Sequence, residues 1–259
     1  MIFIGTAGWS IPARYAAHFP PKGSHLERYS QVLNAAEINT SFYKPHQRKT
    51  YERWAASVPK DFRFCVKLPR SISHNCRLQG YDSHLSRFLD EVSGLHKKLG
   101  TFLVQLPPSL AYDQELASAS FHDLRRRSPT PIACEPRHAS WLTPEADAFL
   151  KRLHVARVAA DPPRASDGGK PGGWKGLRYW RMHGSPRMYY SDYDEIALKA
   201  LAENLRRRNW CIFDNTAASA ALGNALTLQS LTAARRETRP PESVDRSRGP
   251  GLPPGWSQD

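Results

Sequence analysis

Residues 62–68 read FRFCVKL, residues 100–107 read GTFLVQLP and residues 131–137 read PIACEPR. Each is a short run of apolar, β-branched and aromatic residues, which is the composition of a buried strand. About 30 to 40 residues separate the starts of successive runs, so a crossover helix fits between parallel strands. The spacing predicts parallel strands that alternate with helices.

The same pattern extends to both sides, with further runs at 2–9, 35–42, 156–161, 177–184 and 209–215. The eight starts lie on average just under 30 residues apart, about the length of a βα unit. Apolar residues recur at helical spacing between them, at 48–58, 84–98, 144–154, 194–207 and 219–233. Eight alternating units predict an α/β fold, a TIM-type (β/α)8 barrel in a single domain. An open doubly wound sheet is the alternative, although its G-x-G-x-x-G signature is absent.

Two segments depart from this pattern. Residues 162–176, PPRASDGGKPGGWKG, are dense in Pro and Gly, so we expect a loop in place of the sixth helix. Because it follows a strand, this loop would lie at the active face, as a mobile lid or as a plain insertion. Residues 235–259 are rich in Pro, Gly and Arg and offer little to bury, which predicts a disordered tail after a barrel domain at 1–234.

The composition favours a globular protein with an anionic partner. Apolar residues make up 40% and charged residues 24% of the 259 residues, which excludes fibrous and largely disordered chains. The formal net charge is +13, and only +1 of it lies in the last 26 residues (five Arg against four acidic residues). The body therefore carries +12, which suits phosphate, a nucleotide or nucleic acid, although solubility alone can explain such a charge.

Neither a membrane span nor a secretory leader is predicted. No run approaches the ~18 apolar residues of a spanning helix, and the first residues lack a basic segment. A cytoplasmic location is expected. Cys65, Cys134 and Cys211 lie in apolar stretches without C-x-x-C spacing, so we expect buried thiols rather than a metal knuckle.

Polar residues close nearly every predicted strand, where barrel enzymes build their sites. Residues two apart in a strand share a face. Three pairs share a face in this way: Glu37 with Asn39, Glu135 with Arg137, and Arg181 with His183. Four more strands end in single polar residues: Lys67, Gln105, Asp161 and Asp214.

Three chemistries fit these residues. Glu37 and Glu135 could act as paired acid/base carboxylates, with Glu135 as the principal group and His183 as a proton relay. A divalent metal could bind among the carboxylates and His183, although no H-x-x-x-H or D-x-D spacing occurs among these candidates. A third possibility is an electropositive mouth for a sugar phosphate, a nucleotide or a single strand. It would combine Lys67, Arg137 and Arg181 with Trp9, Tyr43, Trp141, Tyr189, Tyr190 and Tyr193.

Seven ordered motifs between residues 2 and 234 resemble those of the domain of unknown function 72 family, the YecE-like proteins. They are IGTAGW at 4–9, EINTSFY at 37–43, FCVKLP at 64–69, VQLPPS at 104–109, EPRHASW at 135–141, RMHG at 181–184 and FDNT at 213–216, followed by NA at 224–225. The resemblance implies a TIM-type barrel but no particular reaction.

The resemblance also implies a set of signature positions: Glu37, Asn39, Tyr43, Lys67, Gln105, Glu135, Arg137, His138, Trp141, Arg181, His183 and Asn215. Two features depart from the family pattern. Asp214 stands where the family tends to have Asn, which adds a negative charge, and the segment between the sixth and seventh strands is short and Gly-rich.

Our leading hypothesis is an enzyme that uses carboxylate acid/base chemistry on an anionic, phosphorylated or nucleic-acid-derived substrate. Lys67, Arg137 and Arg181 would neutralise that substrate. The remaining site candidates, Asn39, Tyr43, Gln105, His138, Trp141, Asp161, Asp214 and Asn215, would contact it. A non-catalytic nucleic-acid binder and a metal-dependent isomerase or endonuclease-like barrel are the alternatives. The sequence indicates no particular cofactor or oligomeric state.

Overall fold

The computed structural model describes residues 1–163 and 166–237 and contains, within them, one ten-stranded sheet. The strands are β1 Phe3–Ala7, β2 Ala35–Ile38, β3 Arg63–Lys67, β4 Leu99–Gln105, β5 Ile132–Glu135, β6 Val155–Arg157, β7 Ala159–Asp161, β8 Gly172–Gly173, β9 Arg178–Met182 and β10 Asn209–Phe213. The α-helices are α1 His25–Ser30, α2 Arg48–Ala56, α3 Asp82–Val92, α4 Gln114–Arg127, α5 Pro144–Arg152, α6 Glu195–Asn204 and α7 Ala220–Glu237.

The sheet wraps into a nearly closed barrel. The strand order is β7-β9-β10-β1-β2-β3-β4-β5-β6-β8, and all pairs are parallel except β6 with β8. β6 and β7 stand near opposite ends of this order, yet only Val158 separates them in the chain. The extended segment 155–161 therefore joins the two ends. The predicted TIM-type barrel is confirmed, and the open sheet is wrong because this shared segment pairs with both β5 and β9.

The predicted helices agree with α2, α3, α5, α6 and α7, with one notable difference in length. The helix expected over 84–98 ends at Val92, because a 3₁₀ turn follows it and His96 has a left-handed backbone with φ 47°. Spacing alone misses α1, which has only six residues and is stabilised by a capping box between Ser24 and Glu27. Spacing also fails to predict α4, because its buried face includes a serine, Ser120, and so is not apolar throughout.

The barrel wall separates two apolar cores, because alternate residues of a strand face opposite sides. Outward residues such as Phe64 and Phe102 pack beneath the helices. The inward core consists of Ala35, Cys65, Leu103, Ala133, Ala156, Val158, Leu177, Tyr179, Trp210 and Ile212. Its small residues make room for two large rings, and Tyr179 and Trp210 stack with their centroids 6.0 Å apart. Gly100 adds to this space, since a Cβ there would lie 2.6 Å from the Trp210 ring.

The expected buried thiols are confirmed, because Cys65, Cys134 and Cys211 are buried and free. Within the described residues the loop at 162–176 contains a 3₁₀ turn, Ser166–Gly169, and then β8. Its second half binds along β6 and α5, since Trp174 N–H donates to Val155 O at 2.9 Å and Gly173 N–H to Asp147 Oδ1 at 2.8 Å.

Helix α7 extends to residue 237, and the rest of the tail predicted at 235–259 lies outside the described residues. Among the helices of the described ranges, none combines the length and apolar character that crossing a bilayer requires.

Candidate functional site

An ionisable layer lies directly above the inward core, at the carboxyl ends of the strands. In six strands the residue two positions after an inward apolar residue is polar, which gives Glu37, Lys67, Gln105, Glu135, Arg181 and Asp214. Carboxyl ends of parallel strands meet at one rim of a barrel. The layer is therefore a consequence of strand periodicity.

The guanidinium of Arg181 is the centre of this layer, and its side chain is 1% exposed. Its Nη2 lies 2.7 Å from Glu37 Oε1 and 3.0 Å from Asp214 Oδ2, and its Nη1 lies 3.1 Å from Glu135 Oε2. Burial alone would lower the pKa of Arg181, but the three carboxylates raise it well above its usual value. Arg181 is a permanent cation that three anions hold in place.

Both carboxylate oxygens of Glu37 accept hydrogen bonds inside the barrel. Arg181 Nε donates to Oε2 at 3.1 Å, and the Tyr179 hydroxyl donates to the same oxygen at 2.9 Å. Burial raises the pKa of Tyr179, so the phenol keeps its proton and remains a donor. Sequence reasoning missed Tyr179, although it lies two residues before Arg181 on the same face of β9. That parity was the signal that could have found it.

Glu135 is also buried, and three cationic or ring nitrogens surround its carboxylate. Arg137 Nη2 lies 2.5 Å and His183 Nε2 lies 2.8 Å from Oε1, while Arg181 contacts Oε2. Burial by itself would raise the pKa of Glu135, but Arg181, Arg137 and His183 together hold it well below its usual range. Glu135 is therefore ionised at neutral pH.

His183 lies between two carboxylates and a guanidinium. Its Nδ1 is 3.0 Å from Asp214 Oδ2, and its Nε2 is 2.8 Å from Glu135 Oε1 and 3.0 Å from Arg137 Nη2. A protonated Nε2 can donate to Glu135, and an unprotonated Nε2 can accept from Arg137. Both protonation states of the imidazole therefore have a partner. The ring of Tyr189 covers His183 edge-on, with the centroids 5.8 Å apart.

Asp214 is the third carboxylate of the cluster. Burial alone would raise its pKa, but Arg181 and His183 outweigh that effect and lower the pKa below its usual value. It contacts Arg181 and His183 through the same oxygen, Oδ2. Asp214 thus contributes directly to the buried charge network.

Lys67, at the end of β3, is 4% exposed. Its Nζ lies 4.1 Å from the centroid of the Phe42 ring, a cation–π geometry. Burial, then repulsion from Arg181, lowers the pKa of Lys67 to about 8. Close by, His74 packs edge-on against the same Phe42 ring.

A cavity of about 520 Å³ opens beside Glu37, at the ends of β1 and β2. Three aromatic side chains line it: Trp9, Tyr43 and Trp54. Asn39 lines it as well, and its buried Oδ1 has no hydrogen-bond partner. A ligand in this cavity would reach the Glu37 end of the cluster.

Several predicted site residues do not contact the central cluster. Trp141 is buried in packing, and its indole N–H donates to Leu110 O at 3.0 Å. His138 accepts at Nδ1 from the backbone N–H of Ser140 and contacts that serine's hydroxyl. Two others bind neighbouring segments: Asp161 accepts from the Tyr193 hydroxyl at 2.6 Å, and Asn215 donates to Asn224 of α7 at 2.8 Å.

Tyr193 packs against Phe213 with the ring centroids 6.0 Å apart, whereas Tyr190 lies at the surface. Gln105 is at the edge of the network. Tyr190 is exposed and stacks under Arg187, 4.1 Å from its guanidinium carbon. Gln105 Oε1 lies 3.5 Å from Arg181 Nη1, at the limit of a hydrogen bond. Among the described residues, no three His, Cys, Asp or Glu side chains are grouped as a metal site.

Comparison with known proteins identifies the family. The model of the family described as "Protein of unknown function DUF72" matches residues 3–247. The chain belongs to this family. The resemblance on the seven motifs is thereby confirmed.

Two curated relatives carry names of the same group. UPF0759 protein YecE of Escherichia coli (strain K12) is 35% identical over 107 residues, 41% of this chain and 38% of that protein. UPF0759 protein YunF of Bacillus subtilis (strain 168) is 27% identical over 184 residues, 66% of this chain and 64% of that protein. The matched parts thus cover less than two thirds of either relative.

Solved structures of DUF72 family proteins share the fold. One from Enterococcus faecalis V583 superposes with a TM-score of 0.73 at 24% identity, over 90% of this chain and 96% of that one. Another from Thermotoga maritima MSB8 gives 0.72 at 24% identity, over 90% and 99% of the two chains. At this identity the likeness concerns the fold alone.

Proposed function

We propose that this protein is an enzyme that performs acid/base chemistry on a small anionic substrate, with His183 as the proton-exchanging group and Glu135 as its carboxylate partner. The observation that carries the proposal is the position of His183 Nε2 between Glu135 Oε1 and Arg137 Nη2. A group that moves a proton needs partners for both of its states, and this site provides them.

The two other carboxylates have supporting roles in this proposal. Asp214 accepts from His183 Nδ1 and so fixes the orientation of the ring. Glu37 holds Arg181 through two nitrogen contacts, which keeps a fixed positive charge beside the reacting centre. We assign Glu37 to positioning, because its oxygens are already engaged by Arg181 and Tyr179.

One unused donor supports an anionic substrate. Arg137 Nε is buried without a hydrogen-bond partner. Buried donors are normally satisfied. A phosphate or carboxylate group of a substrate would satisfy Arg137 Nε and would be attracted by the positive charge of the guanidinium.

One run of basic residues has partners within the fold. In the run at 125–127, Arg126 and Arg127 pair with Asp123, and Arg125 donates to His154 O at 2.5 Å. These contacts account for the run structurally, so it gives little support to the alternative of a non-catalytic nucleic-acid binder.

The test compares the wild type with Glu135→Gln in the turnover of a mixed pool of anionic metabolites, followed by mass spectrometry. We expect the wild type to deplete one phosphorylated or carboxylated compound and Glu135→Gln to deplete it at least about a hundredfold more slowly, as for loss of an acid/base partner. Glu145→Gln is the matched control, because Glu145 is an exposed glutamate in the first turn of α5. Equal turnover by Glu135→Gln and the wild type, or no turnover by either, would contradict the proposal.

A further inference from the structure

Lys67 is an ionisable group of the cluster that the proton exchange at His183 does not use. It is the last residue of β3, two positions after the inward Cys65, so its side chain belongs to the layer at the mouth. A lysine that serves only the fold usually pairs with a carboxylate. Here Glu37, Glu135 and Asp214 all pair with Arg181 instead.

The amine of Lys67 lies over an aromatic ring and makes no hydrogen bond to any described residue. Lys98 provides the contrast within the same chain, since its Nζ donates to the backbone carbonyls of Val58 and Pro59. The lone pair of a neutral Lys67 amine would therefore be free to react. Enzymes that use lysine as a nucleophile place the amine in such a desolvated, cation-rich position.

Lys67 and two arginines place positive charge around His74. His74 packs against the same Phe42 ring, and burial together with the charges of Lys67, Arg70 and Arg137 lowers the pKa of His74 to about 4. His74 is therefore neutral at physiological pH and adds no charge of its own beside the amine. An anionic group of a ligand would be stabilised next to the amine.

We infer that Lys67 is a nucleophilic amine that forms an imine with the carbonyl carbon of an anionic aldehyde or ketone. The inference rests on the proposed function and adds a substrate class to it. The amine nitrogen attacks the carbonyl carbon, and the two amine protons leave with the carbonyl oxygen as water. A C=N bond replaces the C=O bond, and no oxidant or reductant is consumed.

The protonation of Lys67 is consistent with this role. Its pKa is lowered to about 8 by burial and by Arg181, against the opposing charges of Glu37, Glu135 and Asp214. At pH 7 the neutral fraction of such an amine is larger than that of an exposed lysine by a factor on the order of a hundred. Imine formation at Lys67 should rise through pH 8 and level off above it, whereas an exposed lysine reacts progressively faster to beyond pH 10.

The experiment incubates the whole protein with glyoxylate, a small anionic aldehyde, and sodium cyanoborohydride, which reduces an imine to a stable carboxymethyl-lysine. Peptide mapping by mass spectrometry then locates the modified lysines over a series of times. We expect Lys67 to be modified at least about tenfold faster than Lys49, an exposed lysine of α2. Propionaldehyde, a neutral probe, should lose most of this preference for Lys67.

Lys67→Arg and Lys67→Met should both lose the fast modification, and Lys49→Arg is the matched control that should keep it. If both Lys67 variants fail to fold, the ratio of Lys67 to Lys49 in the wild type still decides. Modification of Lys67 no faster than Lys49 would overturn the inference. Slow modification of Lys67 together with a loss of turnover in Glu135→Gln would overturn only the inference of an imine at Lys67. Fast modification of Lys67 together with unchanged turnover in Glu135→Gln would overturn only the proposed function.

Discussion

Arg181 and Glu37 form a side-on ion pair inside the barrel, with Nη2 2.7 Å from Oε1 and Nε 3.1 Å from Oε2. Neither side chain is more than 1% exposed. Charges this deeply buried are costly to desolvate, so each depends on the other. The pair joins β2 to β9 across the interior. It therefore contributes to the stability of the barrel as well as to the candidate site.

Glu37→Gln should lower the free energy of unfolding by about 3 kcal/mol, because it leaves the buried guanidinium of Arg181 with less compensating charge. This loss of stability lies at the low end of the range for a broken buried ion pair, because Glu135 and Asp214 still contact Arg181. Urea denaturation followed by fluorescence measures it.

The control for this variant is Glu52→Gln on the surface. Glu52 pairs with Arg48 at 3.2 Å in an exposed helical position, where such pairs contribute less than about 1 kcal/mol. Similar losses of unfolding free energy in both variants would show that the buried pair stabilises the protein no more than the exposed pair does.

Tyr179→Phe removes a single hydroxyl from the interior of the barrel. That hydroxyl donates to Glu37 at 2.9 Å, and a hydrogen bond to a charged group contributes about 1.5–3 kcal/mol. The stacking on Trp210 remains, so the loss of stability should stay within that range, measured by urea denaturation. Tyr43→Phe is the comparison, because Tyr43 is 72% exposed and its change should stay within about 0.5 kcal/mol. A neutral Tyr179→Phe would mean that Glu37 does not depend on this donor.

Most of the fold could be predicted from the sequence because the signals are periodic. Strand runs at a regular spacing predict the barrel, and the two-residue period within strands predicts which polar residues share a face. These are properties of local sequence order. The short helix α1 was missed for the same reason, since six residues contain too few turns to show a period.

The contacts within the site depend on register and packing, which the sequence does not show. Asp161 is the last residue of β7, and Asp214 directly follows β10, so the two look alike in the sequence. Asp161 nevertheless binds Tyr193, whereas Asp214 contacts Arg181 and His183. Trp141 looked like a stacking residue of the mouth but packs in the core, because the 3₁₀ turn after β5 directs its indole to Leu110. Side-chain direction beyond a strand end is set by such turns.

Acid should destabilise the protein steeply below about pH 4, because Glu135 and Asp214 have pKa values lowered below their usual range. The unfolded chain protonates such carboxyls near pH 4 while the folded protein keeps them ionised, so unfolding takes up protons in this window. Their stabilising effect is thus complete above pH 4 and is lost as the pH falls toward the folded-state values. Each group contributes a slope of about 1.4 kcal/mol per pH unit.

The measurement that isolates one group is the unfolding free energy of Asp214→Asn from pH 3 to pH 6. Without the buried carboxyl, unfolding should take up one proton fewer below pH 4. The slope of the unfolding free energy against pH should therefore fall by about 1.4 kcal/mol per pH unit. Asp90→Asn on α3 is the control, because Asp90 is exposed with only a 3.5 Å contact to Arg48, and its slope should match the wild type. An unchanged slope in Asp214→Asn would mean that the proton uptake on unfolding comes from other carboxyls, and the buried network would then not explain the acid sensitivity.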